Sequence, residues 1–258
     1  MLALGLVGGA TLCGNSRPRP AALSETGACG RVRFVYAPRG GVKMVEAKVK
    51  AEVLNFVRRA GGRRAAIVTA EFTLGASGVR SDLALLADEQ LIGIEIKTER
   101  DTLRRLPSQM IAYSRYCDHV VLVIAPCHER KLASIDLKGA SVWVCASSGI
   151  ETIRDGQPNT VAPGDHIDLL TAEEKRRFLA TEISSRAHFC DVFERRYATA
   201  SERFWEAVKG RSIKANDVQL LSRFLDKRVA VEQMKREQDE RWKRWQDAYS
   251  NPLLGLPA

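Results

Sequence analysis

The sequence predicts an α/β fold around a mixed sheet, and three features carry that prediction. Apolar residues recur at helical spacing over residues 45–59. Residues 91–97 alternate with the two-residue period of a strand, close behind a second strand-like segment, 80–86. Residues 120–125 are apolar without interruption.

Taken in order, Val45, Val49, Val53, Leu54 and Val57 line one face of the first helix, as apolar residues three or four apart do. Gly61-Gly62 is suited to end it. Residues 65–72 read as the first strand. Residues 80–86 and 91–97 form a hairpin through Ala87-Asp88-Glu89-Gln90. In its second arm Ile92, Ile94 and Ile96 take one face, and Gly93, Glu95 and Lys97 the other. The isoleucine face is expected to enter the core and the other to open on a site. Pro107 fits the first turn of a second helix reaching about residue 117. Residues 120–125 suit a strand buried on both faces, and 141–146 offer one more. Helix, three strands, helix, strand, strand is the order of a sheet flanked by helices.

Beyond Gly149 the character changes. Asp155-Gly156-Gln157-Pro158-Asn159 and Pro163-Gly164-Asp165 are loop-forming, and residues 171–249 are mostly charged and helical, with 217–249 expected as one long helix. Residues 14–42, rich in Gly, Pro, Arg and Ser, are expected to be poorly ordered. The expected organisation is a leader or mis-assigned start ahead of Met44 over residues 1–42, an α/β domain over 43–150, and a linker with a helical C-terminal extension over 151–258.

With 258 residues, 45% of them hydrophobic, the chain can bury a proper core. Its formal charge of +9 favours a polyanionic partner. Six scattered cysteines form no CxxC pair and four histidines no ligand cluster. A zinc site and a disulfide framework are therefore not expected, which suits a reducing cytoplasm. No apolar run reaches the roughly 18 residues of a membrane span. The opening Met1-Leu2-Ala3-Leu4-Gly5-Leu6-Val7 has the hydropathy of a signal-peptide core. It lacks a basic n-region and leads into Arg17-Pro18-Arg19-Pro20, so no secretory signal is expected.

The hairpin carries the chemistry. A symmetric loop pairs Asp82 with Glu95 and Arg80 with Lys97. Opposed side chains of an antiparallel pair stand roughly 4.5–5.5 Å apart at Cβ, so two carboxylates face each other and repel unless a cation lies between them. Lys97, two residues after Glu95, shares their face. Arg80 opposite Lys97 is an unfavourable pair in a purely structural sheet. Two carboxylates and an ammonium are what phosphodiester cleavage asks for: a held Mg²⁺ or Mn²⁺, a positioned water and a cation for developing negative charge. In this reading Asp82 and Glu95 ligate the metal, the Ile96 carbonyl adds a ligand, and Lys97 orients or deprotonates the water. Glu71, closing the first strand, is a further ligand in competition with Glu46 and Glu52 on the first helix.

Asp82 with Glu95-Ile96-Lys97 resembles the PD-(D/E)XK nuclease superfamily, with Ser81 where the name-giving proline would stand. That resemblance implies a restriction-endonuclease-like core, αβββαβ, with a mixed sheet flanked by helices. Gln109-Met110-Ile111-Ala112-Tyr113 resembles the QxxxY element of the RecB-like branch. Its spacing of four puts Gln109 and Tyr113 on one helical face, and the resemblance implies that they orient the site and contact nucleic acid. The run from Glu95 to Gln109 is similar to a group of small uncharacterised bacterial proteins in the superfamily, and the layout is related to that of MmcB-like DNA-repair proteins. The resemblance covers about residues 45–146.

These readings imply a bacterial, cytoplasmic nuclease that hydrolyses nucleic acid, DNA first, in DNA repair or mobile-element biology. The alternatives are a non-cleaving nucleic-acid-binding module acting with a partner, and a factor that engages a protein partner through its C-terminal helix. A purely structural charge cluster also fits Asp82, Glu95 and Lys97. Tyr113 also fits core filler beside Leu106, Met110 and Cys117, and Gln109 an ordinary surface position. Arg104 and Arg105, just before the second helix, are expected at phosphates, or else as solvated arginines. The cations Lys43, Lys48, Lys50, Arg58, Arg59, Arg63 and Arg64 suit a nucleic-acid backbone or an ordinary helix surface. Arg241-Trp242-Lys243-Arg244-Trp245 suits base stacking or packing, and Cys117 and Cys145 read as core residues.

Overall fold

The computed structural model describes residues 45–61, 66–179, 182–222 and 225–249. Residues 1–44 lie outside them, and with them the expectations for residues 1–42 and Lys43. Gly62, Arg63 and Arg64 also lie outside the described residues.

Six elements follow in the expected order: α1 (Glu46–Gly61), β1 (Ile67–Thr73), β2 (Arg80–Ala87), β3 (Gln90–Lys97), α2 (Leu106–Tyr116) and β4 (His119–Ile124). β5 (Ser141–Ala146) and β6 (Gly149–Arg154) complete a six-stranded mixed sheet ordered β1-β2-β3-β4-β5-β6. The first three strands form an antiparallel meander, β4 and β5 run parallel to β3, and β6 returns antiparallel. A parallel pair needs a crossover. α2 supplies one, and a 3₁₀ segment, Pro126–Ser134, the other. No helix among the described residues is long and apolar enough to cross a membrane.

The hairpin register matches the expectation where the ladder forms, with Leu83 opposite Ile94, Ala84 opposite Gly93 and Leu86 opposite Leu91. Helices cover both faces of the sheet, so the Glu95–Lys97 face is buried rather than open, which corrects the expected open face. On that side Tyr113, Met110 and Leu106 of α2 pack with Leu122 and Ile124 of β4. On the other, Val53 and Leu54 of α1 pack with Leu83, Ile94, Ile96 and Val123. Val45 is the exception in the expected stripe: it precedes the helix and is 63% exposed. Glu46 in the first turn of α1 and Arg58 and Arg59 in the last both complement the helix dipole.

Residues 163–221, expected as linker and extension, pack against both faces. After α3 (Pro163–Asp168) and α4 (Ala172–Phe178) comes α5 (Ser185–Ala207). Phe189, Val192 and Phe193 of α5 join the α2 side, whereas Phe204 joins the α1 side. The helix therefore passes the free edge of β1. Ser201 Oγ accepts from Val68 N at 3.0 Å, and Trp205 Nε1 donates to the Ala66 carbonyl at 3.0 Å. Phe204→Ala is expected to cost about 3–5 kcal/mol by urea unfolding. A loss under 1 kcal/mol would mean that α5 is not part of the core.

The single helix expected over 217–249 is not formed. Ala215–Leu221 is a 3₁₀ segment, and α6 (Leu225–Tyr249) follows it. Asp217 closes the first turn by accepting from Lys214 N at 2.7 Å and from Arg211, while Val218 and Leu221 are buried in the α1-side core. Those anchors hold the segment against the sheet.

α4 opens with a reciprocal cap in which Thr171 N donates to Glu174 Oε2 at 2.8 Å and Glu174 N donates to Thr171 Oγ1. Arg196 of α5 also donates to both Glu174 oxygens. Burial alone would raise the Glu174 carboxyl, but the Arg196 and Thr171 hydrogen bonds outweigh it and hold it at about 2. A pKa lowered by folding gives stability that is present above the unfolded value and lost as pH falls toward the folded one. The protein should thus lose stability between about pH 4.5 and 2. Glu174→Gln should lower the melting temperature at pH 7, with the difference vanishing by about pH 2. A melting-temperature series against pH checks this.

Candidate active site

The site forms where β2 parts from β3. Along β1 one register holds from Ala70–Leu83 through Phe72–Ser81 to Thr73–Arg80, whereas along β3 the pairing stops at Leu83–Ile94. Asp82 therefore has no backbone partner in the β3 ladder. Its carboxylate fills the gap instead, Oδ2 accepting from Ile96 N at 2.6 Å. Glu71, beside the break, has φ +60°, a left-handed backbone that a non-glycine residue adopts at a cost.

Glu95 is the centre of the cluster. Its Oε1 accepts from Lys97 Nζ at 2.5 Å and from Gln109 Nε2 at 2.7 Å, and its Oε2 accepts from Tyr113 OH at 2.7 Å. Glu95 and Lys97 are buried at 3% and 6% exposure. Gln109 and Tyr113, one turn apart on α2, thus reach the same carboxylate from above the sheet, as their spacing predicts. Tyr113 is also wholly buried, so its roles in the core and in the site coincide. Burial, then the charges of Glu95 and Asp82, push the Tyr113 phenol well above its ordinary value, so it stays protonated and donates.

From α1, Lys50 reaches the other side. Its ammonium lies 2.6 Å from Glu46 Oε1 and 4.0 Å from Asp82 Oδ1. Burial first and the Glu95 charge second raise Asp82 to about 7, against the opposing pull of Lys50 and the Ile96 N–H. The Glu95 charge thus disfavours ionisation of Asp82. Ser81 Oγ and Gln109 Oε1 are buried without a hydrogen-bond partner among the described residues. Such atoms mark places where a water or ion belongs.

Other expected members are placed differently. Glu71 faces Arg80 at 3.8 Å. Arg80 does not oppose Lys97, because the β2–β3 ladder has ended at Leu83–Ile94; on its other side Arg80 pairs with Thr73 of β1. Ile96 enters the cluster through its N–H. Arg104 and Arg105 are exposed in the turn before α2, where the Arg105 carbonyl accepts from Gln109 N at 3.0 Å. Among the described residues no three His, Cys, Asp or Glu side chains stand close enough together to hold a metal. Asp82 and Glu95 alone would supply protein carboxylates. That donor set fits Mg²⁺, which keeps several waters and takes one or two carboxylates.

Sequence reasoning did not reach Lys50 as a site residue, nor His128 and Gly93 at all as contributors. Lys50 stood in a general cation stripe, and only the docking of α1 brings it to Asp82. Buried His128 donates from Nε2 to the Thr98 carbonyl at 2.9 Å, fixing the residue after Lys97. Gly93 stands directly under Tyr113.

The family model described as bacteriophage P4 protein cII matches residues 41–222. The chain belongs to that family. The matched stretch runs from the start of α1 to the end of the packed core at Leu221, so α6 lies outside the P4 cII-like region. A solved structure of a Silicibacter pomeroyi protein of unknown function is similar at 14% identity and a TM-score of 0.41. The likeness covers 66% of this chain and 94% of that one. No curated protein matches the chain.

Proposed function

We propose that the protein hydrolyses phosphodiester bonds of nucleic acid, DNA first, with Mg²⁺ or Mn²⁺, on a restriction-endonuclease-like core. The observation that carries the reading is the convergence of Asp82, Glu95, Lys97, Gln109 and Tyr113 on one point at the break in the sheet. The order helix, three-strand meander, helix, parallel strand is the one that core requires.

Asp82 and Glu95 would hold the cation, which when bound supplies charge neutralisation for the transition state and lowers the pKa of a water. Gln109 and Tyr113 fix both oxygens of Glu95, so the carboxylate is presented in one orientation. Gln109 Oε1, without a partner, is an acceptor for a water proton. Lys97 sits close enough to Glu95 to steady negative charge on an oxygen bound there. Exposed Arg104 and Arg105 border the same end of the sheet and suit the phosphates of a strand entering it.

A second reading is a nucleic-acid-binding module that does not cut. It is favoured by the engagement of Lys97 with Glu95 and by the small number of carboxylates. The two part company in one assay. Purified protein should nick or degrade DNA with Mg²⁺ or Mn²⁺ and not with EDTA, and Asp82→Ala should abolish cutting. Cutting that survives Asp82→Ala would remove the site from the reaction, and DNA affinity without any cutting would favour the second reading.

A further inference from the structure

We infer that Lys50 limits the site to a single divalent cation, its ammonium standing where a second ion would sit between Glu46 and Asp82. The inference rests on the reading of Asp82 and Glu95 as cation ligands and adds the number of ions to it.

Paired-metal sites set two ions roughly 3.5–4 Å apart, one for the attacking and one for the leaving oxygen. Each ion needs a carboxylate or two. After Glu95, the next carboxylate whose charge acts on Asp82 is Glu46, in the first turn of α1. A second ion would therefore draw on Glu46 and Asp82. Lys50 already serves that pair, with Nζ 2.6 Å from Glu46 Oε1 and 4.0 Å from Asp82 Oδ1. Its side chain is only 8% exposed, against 55% for Glu46. Its neighbours Val49 and Ala51 are buried in the α1-side core, so withdrawing the ammonium would also unpack the stem. Lys97 stands at Glu95 in the same way, 2.5 Å from Oε1. Three carboxylates thus meet two resident ammoniums, and one divalent ion already overbalances the charge that remains. A lysine, as a compact point charge, can hold such a position with no metal.

The test counts Mn²⁺ on the full chain without nucleic acid, at mildly alkaline pH, from the EPR signal of the free ion. Ions lost in Asp82→Ala are assigned to the site. The wild type should hold one there, with no exchange-coupled spectrum. Lys50→Ala should hold a second and show the coupling of two nearby ions. Glu46→Gln/Lys50→Ala should return to one, and Lys50→Arg should stay at one. Circular dichroism checks folding, and if Lys50→Ala unfolds, Lys50→Gln, which keeps most of the stem, takes its place. Two coupled ions in the wild type overturn the inference, and so does a folded, neutral Lys50 variant that stays at one. Cutting is scored separately with Mg²⁺. A wild type that holds one ion and never cuts sinks the nuclease reading alone, and one that cuts with two coupled ions sinks this inference alone. A wild type with no ion at Asp82 removes both.

Discussion

Lys97→Met is expected to lower metal-dependent cutting at least about a hundredfold and to destabilise the fold by about 3 kcal/mol. The two effects have different origins. Lys97 Nζ lies 2.5 Å from Glu95 Oε1 inside the protein, so removing it leaves a buried carboxylate with only Gln109 and Tyr113 as donors. Removing one member of a buried pair is costly, whereas replacing both with neutral groups is often tolerated. Glu95→Gln/Lys97→Met should therefore regain most of the lost stability in urea unfolding while remaining unable to cut. If the double variant instead recovered cutting along with stability, Lys97 would be a structural counter-ion and nothing more.

Gly93→Ala should cost about 1–3 kcal/mol although only a methyl group is added. A Cβ at this position would meet Cys117 Sγ and Tyr113 Cδ1 at 2.7 Å and Tyr113 Cε1 at 2.9 Å. Both neighbours are fully buried, so neither has solvent to move into. Shifting the Tyr113 ring also withdraws its hydroxyl from Glu95, and cutting should fall further than with Tyr113→Phe, which removes the hydroxyl and leaves the ring in place. Adding Cys117→Ala should restore part of the stability, because one of the two crowded contacts is relieved. Thermal melts and a cleavage assay on the three variants and the wild type decide it. A Gly93→Ala protein as stable as wild type would show that the α2–β3 contact can loosen at little cost.

The hairpin was legible because its information is local. Alternation over residues 91–97 and a short loop define the register, and that register is observed from Leu83–Ile94 outward. The Gln109/Tyr113 pair was legible for the same reason, since one helical turn fixes their shared face. The break at Asp82 was not. A ladder ending three residues early accompanies the bond from Ile96 N to Asp82, which no periodicity records, and with it went the expected Arg80–Lys97 opposition. β6 escaped notice because Gly149–Arg154 is a mostly exposed edge strand without apolar alternation. The two-sided role of α5 escaped because Phe189 and Phe204 serve different faces of one sheet, a fact set by where the helix crosses β1. Asp118 is a further case. It accepts from Leu91 N and from Arg186, joining the hairpin to α5, and nothing in its neighbourhood along the chain announces a partner so distant.

Because α5 seals the rim of β1 from far downstream, the nascent chain must wait for its own cover. At ordinary synthesis speeds the ribosome takes on the order of ten seconds to pass from β1 to the end of α5. During that time the strand's backbone donors and acceptors are available to any other extended chain. A version cut short before Ser185 would keep that rim bare permanently, and its fate in the cell should be inclusion bodies or chaperone capture.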